Sequence, residues 1–225
     1  MISKEILIFV EGPSDKVFLE VYLYFLEDLP IKNFKVRSTN GKNNLSSTLL
    51  LETEKYAKTL IIFDADKDYE SNKKEILKVV SKTKQTISEE QIFLFPNNQD
   101  DGDLETLLLE IAKHDEFLKC FEGYLECIKS KEHYKPIRNI RKNMLYAYLE
   151  VFELQKFFQY KWDTNNKKNE ENIIIDDKGK IKEEHQEEYE KLKEVIDFKS
   201  KSLIPLKNFL EKSTENKQKT KLKIF

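Results

Sequence analysis

Histidine and cysteine are scarce: three His and two Cys in 225 residues. Cys120 and Cys127 lie seven apart in a predicted helix, a spacing that suits small buried apolar side chains. Neither a CxxC pair nor a Cys/His cluster occurs, which argues against a zinc site. His114, His133 and His185, like Trp162, carry no spacing signal. Arginine occurs only at Arg37, Arg138 and Arg141, so planar bidentate recognition of phosphate has few places to come from. No apolar run approaches the ~18 residues of a membrane span, and the run in "MISKEILIFVEG" is too short for a signal peptide. A soluble, cytoplasmic protein with no membrane partner is therefore expected. The net charge of −2 gives no global attraction to a polyanion, so any basic surface must be local.

Charge and aromatics are what the chain does have. Charged residues make up 36% and apolar ones 39%, with 15 Phe and 10 Tyr, a balance that fits solvated helices around a real core. The first hundred residues alternate strand and helix signals. Strands are predicted at "EILIFVE" (5–11), "FKVRS" (34–38), "TLIIFD" (59–64) and "QIFLFP" (91–96). Helices are predicted over 14–29 with Ser14 as N-cap, over 45–58 and 72–84, and as one helix or a pair over 102–125. Such alternation implies right-handed βαβ crossovers: an α/β fold, a mainly parallel sheet of about four strands flanked by helices.

Past residue 129 the alternation stops. Residues 1–125 read as the core domain, and 126–225 as an α-rich extension. A long amphipathic helix is predicted over 139–158. The polar, Lys/Glu-rich segment 163–194 reads as a mobile insertion with "IIIDDKGKI" as a hairpin, and 197–212 as a segment returning to the sheet. The basic tail after residue 212 is expected to fray.

Acids and glycines gather at the predicted carboxyl edges of the strands. Strand one ends in Glu11-Gly12, strand two in Asn40-Gly41-Lys42, strand three in Asp64-Ala65-Asp66, and strand four leads into "PNNQDDGDLE". Three of the five glycines, Gly12, Gly41 and Gly102, stand here, where positive φ or a close backbone approach is useful. Side chains two apart on a strand point the same way, so Asp64 and Asp66 could face one point beside Glu11. Carboxylates so placed raise one another's pKa unless a cation neutralises them. An oxygen-only set without His or Cys suits one or two Mg²⁺ or Mn²⁺ ions.

The order Glu11-Gly12-x-x-Asp15, then Gly41, then Asp64-x-Asp66 resembles the TOPRIM domain, which primases, topoisomerases, small ribosomal-RNA maturases and OLD-family nucleases share. That match covers about residues 5–112. "FVEGPSDKVFLE", "FDADKD", "FPNNQDDGDLETLLLE", "RKNMLYAYLEVF" and "DFKSKSLIPLKNFL" together resemble compact stand-alone TOPRIM-like proteins of unknown function. The resemblance implies Glu11 as metal ligand or general acid/base, and Asp64 and Asp66 as the metal pair, with Asp68 extending the acidic edge. It also implies Gly41 as the turn glycine, with Lys42 beside it in reach of a phosphate oxygen. Asp100, Asp101, Asp103 and Glu105 resemble the acids that nuclease-type members place around a second metal, Glu105 being the best single candidate. Asp103 and Asp15 could equally be helix caps.

The densest basic stretch, 129–149, offers Lys135, Arg138, Arg141 and Lys142 followed by Tyr146 and Tyr148, a pattern that suits a nucleic-acid backbone and unstacked bases. A solvated connector and helix face explains it equally well, with the tyrosines in the core. Three function classes follow. The first is a Mg/Mn-dependent nuclease acting on DNA or RNA. The second is a TOPRIM-like module that binds nucleic acid or a partner, or acts as a sensor, with little catalysis; a protein partner or a homodimer is among the expected partners. The third is a small-molecule phosphohydrolase, against which the DxD stands on the third strand and continues into Lys67-Asp68. A topoisomerase would need a tyrosine-bearing domain, and a primase more template-binding apparatus, than this sequence contains.

Overall fold

The computed structural model describes residues 5–26, 34–47, 56–83, 87–135, 137–157, 174 and 180–214. Four strands form one parallel sheet: β1 (Ile6–Val10), β2 (Phe34–Ser38), β3 (Lys58–Asp64) and β4 (Ile92–Phe95), in the order β2-β1-β3-β4. Register pairs Val10 with both Ser38 and Ile62, and Asp64 with Phe95, so all four carboxyl ends open on one edge. Strand order reverses between β1 and β3, the crevice where open α/β sheets take their ligands.

β1, the middle of β3 and β4 are apolar on both faces because both are covered, whereas the edge strand β2 alternates Phe34 and Val36 with Lys35 and Arg37. Ile6, Ile8, Val10, Leu60, Ile62, Phe93 and Phe95 face one layer of helices. Leu7, Phe9, Ile61, Phe63, Ile92 and Leu94 face the other, where Ile76 and Val80 of α2 (Tyr69–Ser81) and Leu45 meet them. The first layer holds α1 (Pro13–Phe25) and α3 (Leu104–Glu110). The 102–125 segment is thus a helix pair, α3 followed by α4 (Asp115–Lys129). Helix α1 starts one residue before Ser14: Gly12 is the N-cap, Pro13 opens the helix with its preset φ, and the Asp15 carboxylate accepts the Gly12 N–H at 2.6 Å. Most of the predicted 45–58 helix lies outside the described residues.

The extension is part of the same core. It contributes α5 (Ile140–Val151), α6 (Glu183–Val195) and α7 (Ile204–Thr214). Leu145, Leu149, Leu192 and Leu206 join one apolar cluster with Val17 and Phe18 of α1. Each such buried side chain contributes about 1.5–3 kcal/mol. The predicted return of 197–212 to the sheet holds: Phe209 of α7 meets Phe93 at 5.4 Å between ring centroids, and Lys58 Nζ donates to the Ser213 carbonyl at 3.2 Å.

Three expectations change. Helix α5 stops at Val151 rather than 158, because Glu153 takes a left-handed φ of 62° and the Leu154 N–H turns back to the Leu149 carbonyl. Residues 183–194, expected to be mobile, lie in α6, which buries Tyr189, Leu192 and Val195. Its junction with the core is fixed by backbone bonds from Lys113 N–H to Val195 O and from Asp197 N–H to Ile111 O. Of the predicted hairpin only the closing bond, Lys182 N–H to Ile174 O at 2.8 Å, falls on described residues. Lastly, Cys120 and Cys127, expected in the core, are both exposed free thiols on α4. Residues 163–173 and the tail from 215 lie outside the described residues. Among the described residues no helix is long and apolar enough to cross a membrane.

Candidate metal centre

The carboxyl edge separates its acids into an inner and an outer group. Glu11, just past β1, Asp15 in the first turn of α1, Asp64 at the end of β3 and Glu105 in the first turn of α3 form the inner group. Asp15 is 7% exposed, and the other three are half-buried. Burial drives the Asp15 carboxyl up from 3.8 to about 7, and the charges of Glu105 and Glu11 add to that rise. Asp64 is held well above the ordinary carboxylate range, first by burial and then by Asp15, Glu11 and Glu105. The Leu104 N–H, at 3.0 Å from Asp64 Oδ1, opposes the rise. Glu11 and Glu105 are raised too, in each case mainly by burial. Four side chains from four elements therefore crowd negative charge into one desolvated place.

The outer acids have structural work. Asp68 is the N-cap of α2, accepting the Ser71 N–H at 2.9 Å. Asp101 accepts the Tyr69 N–H at 2.7 Å, and Asp100 accepts from Asn97 Nδ2 at 2.7 Å. Asp103 caps α3 through the Thr106 N–H at 2.8 Å and pairs with Arg141 Nη2 at 3.0 Å. The Asp103–Asp68–Asp101 part of the predicted ligand set is thus engaged in caps and loop fasteners. Asp66 stands in a different setting from Asp64, although its charge also reaches Glu11. Its φ of 53° breaks the strand alternation, its backbone bridges to Gly102, and its side chain is 55% exposed.

Lys42 binds acids here. Its ammonium contacts Asp66 Oδ2, lies 3.9 Å from Glu11 Oε2 and donates to Asn72 Oδ1 at 2.7 Å. Asn72, invisible to sequence reasoning, is itself fixed by its amide donating to the Ala65 and Asp68 carbonyls at 2.7 and 3.0 Å. Two of the three edge glycines are required by the backbone. Gly41 sits at φ 109°, and Gly102 sits at φ 146° where a Cβ would meet Pro96 Cδ at 3.0 Å. Gly12 is extended, so its role is to cap α1 rather than to supply positive φ.

The basic stretch divides as well. Lys135, Arg138, Arg141 and Lys142 are all exposed. The first turn of α5 brings Arg141 to Asp103, and the charge of Lys142 reaches both Asp15 and Glu105. Lys142 also lies over the Tyr146 ring at 5.8 Å. Tyr148 is a core residue, as expected, donating its hydroxyl to the Val195 carbonyl at 2.8 Å.

Whether these residues fit a metal can be asked of the donors. They are all oxygens, the hard set that Mg²⁺ and Mn²⁺ prefer. Glu11 Oε2 is buried without a hydrogen-bond partner, an acceptor left with capacity for a cation. Among the described residues, no three His, Cys, Asp or Glu side chains already stand in ligand geometry around a common point. The donor chemistry fits, and the shell is not preformed.

No curated protein and no solved structure matches the chain. A family profile described as protein of unknown function, DUF3226, matches residues 5–215. The chain belongs to the DUF3226 family.

Proposed function

We propose that the chain is a Mg²⁺- or Mn²⁺-dependent phosphodiester-cleaving enzyme acting on nucleic acid, with Glu11, Asp64 and Glu105 as the principal ligands and Asp15 beside them. The observation that carries this reading is the crowding of those carboxylates at the reversal of strand order, where their mutual repulsion favours a cation. The TOPRIM-like order of Glu11, Gly41 and Asp64-x-Asp66 supports it. A bound divalent ion would stabilise charge on the phosphoryl oxygens and lower the pKa of a water. The chain's own cations have the complementary task. Arg141 and Lys142 stand at the rim of the acidic edge and would hold the flanking phosphates as DNA or RNA crosses it. Lys42, anchored by Asn72, would hold a phosphate oxygen once a metal takes its place beside Glu11.

One observation favours a second reading, in which the module binds nucleic acid or a protein partner with little catalysis. The Lys42 ammonium already sits against Glu11 and Asp66 as a built-in cation. The two readings separate in one assay: labelled single- and double-stranded DNA and RNA are incubated with Mg²⁺ or Mn²⁺ and either the native chain or Asp64→Ala/Asp66→Ala. Metal-dependent cleavage by the native chain alone supports the enzyme. Binding without cleavage supports the module, and equal cleavage by both proteins removes the site from the account.

A further inference from the structure

The two faces of the sheet are not packed alike. On the α1 side, the cavity among Phe18, Leu108 and Leu192 measures about 10 Å³, ordinary for a close-packed core. On the α2 side, a cavity of about 120 Å³ opens between residues 42–46 and α2. Its floor is apolar: Leu45, Phe63 and Ile76 line it, and each is buried. Its rim is polar, with Asn43, Ser46 and Glu75. None of those three side chains has a hydrogen-bond or ion-pair partner among the described residues. An apolar hollow with a few unengaged polar groups at its mouth has the form of a small-ligand site.

The cavity adjoins the acidic edge through one side chain. Lys42 lines it, and the same ammonium contacts Asp66 and lies 3.9 Å from Glu11. The lining does not suit an anion, because Glu75 is negative and the one ammonium is already paired. A purely aliphatic group would leave the rim without partners. A planar heterocycle with N–H and carbonyl edges satisfies both parts. Its faces meet the apolar floor, its N–H groups can donate to Glu75, and the Asn43 amide can both donate and accept.

From this we infer that the cavity takes the base of one nucleotide, unstacked from a single strand, while the phosphate attached to it lies at Lys42 and the acidic edge. The inference rests on the proposed action at that edge and names its substrate class. A duplex must unpair to deliver a base, an energetic cost that a single strand avoids. Single-stranded nucleic acid is therefore the preferred ligand, with Arg141 and Lys142 on the flanking phosphates.

Calorimetric titration of the full chain in Mn²⁺ tests it, with the four common nucleoside 5′-monophosphates run beside ribose 5-phosphate, which lacks the base. At least one nucleotide should bind about tenfold tighter than ribose 5-phosphate or better. Val79 is half-buried in the cavity wall, and Val79→Phe places a ring in the hollow. That variant should bring the nucleotide down to the affinity of ribose 5-phosphate. Glu75→Ala, at an exposed helix position that alanine suits, leaves the floor intact. It should weaken the nucleotide about threefold or more and leave ribose 5-phosphate unchanged. A single-stranded tetranucleotide should bind about tenfold tighter than the monophosphate, because the flanking phosphates add contacts. Ribose 5-phosphate binding as tightly as every nucleotide, no binding of either, or full affinity in both variants overturns the inference, even if the chain cleaves nucleic acid. A tetranucleotide no tighter than the monophosphate overturns the strand and makes the ligand a free nucleotide. Base-dependent binding lost in Val79→Phe, without cleavage of any nucleic acid, supports the cavity's ligand and removes only the enzyme.

Discussion

The inner and outer acids of the carboxyl edge differ in surroundings more than in sequence. Asp66, Asp68, Asp100 and Asp101 are exposed, and each has a hydrogen-bond or ion-pair partner. Glu11, Asp15, Asp64 and Glu105 are drawn from four separate elements and are each raised first by burial, Asp15 and Asp64 further by the charges of the others. In water a carboxylate costs nothing to keep charged, and a nearby N–H gives it a structural role as a cap. Partly desolvated beside three others, it must take up a proton or a cation. Density of acids in the sequence marks the edge, and burial decides which of them are available for chemistry.

The largest effect expected from this division is on activity. Asp64→Asn keeps the shape and can still accept the Leu104 N–H, yet removes the most crowded charge. Metal-dependent cleavage should fall by about 10²–10³, while Asp68→Asn should change it by no more than about twofold; similar losses in both would break the distinction. The pH dependence of stability comes next. Asp15 in the folded chain keeps its proton up to about 7, against 3.8 ordinarily, so the native state binds more protons than the unfolded state between those values. Stability of the chelator-treated protein should therefore be complete at low pH and fall as pH rises across that window, by on the order of 1–3 kcal/mol. Thermal melts of native chain and Asp15→Asn from pH 4 to 8 measure it. The variant should show the shallower slope, and parallel slopes would contradict the assignment.

Lys42 joins the two groups through Glu11 and Asp66. Its replacement in Lys42→Met should tighten Mn²⁺ binding about tenfold by removing a competing cation. Weaker Mn²⁺ binding would mean that the ammonium is not in the metal's place. The smallest effect is at the outer rim: Asp68→Ala should cost about 1 kcal/mol in chemical denaturation through loss of the α2 cap. Metal affinity should stay unchanged.

The sheet was legible because its signal is local. β1 and β4 fall within their expected segments, since buried parallel strands read as short apolar runs, and β2 falls on 34–38 through the alternation of Phe34 and Val36 with polar neighbours. The edge glycines and acids followed from the same periodicity. Asp15 was harder to see, because one side chain serves both as the partner of the Gly12 N–H and as a member of the inner group. Sequence reasoning weighs the cap and cannot see the burial that the α3 and α5 segments impose. Helix α6 was hidden by composition. Its three buried residues lie among lysines and glutamates that face water. The cysteines misled for the opposite reason. Their helix is amphipathic, and only the tertiary arrangement shows that the stripe bearing them faces outward.

Calorimetric titration of Mn²⁺ into the chelator-treated chain tests the central claim most directly, with Asp64→Asn and Asp68→Asn run beside it. Saturable binding to the native chain and to Asp68→Asn, lost in Asp64→Asn, is the result that the inner acids predict. No binding to the native chain, or equal binding by all three proteins, would contradict them.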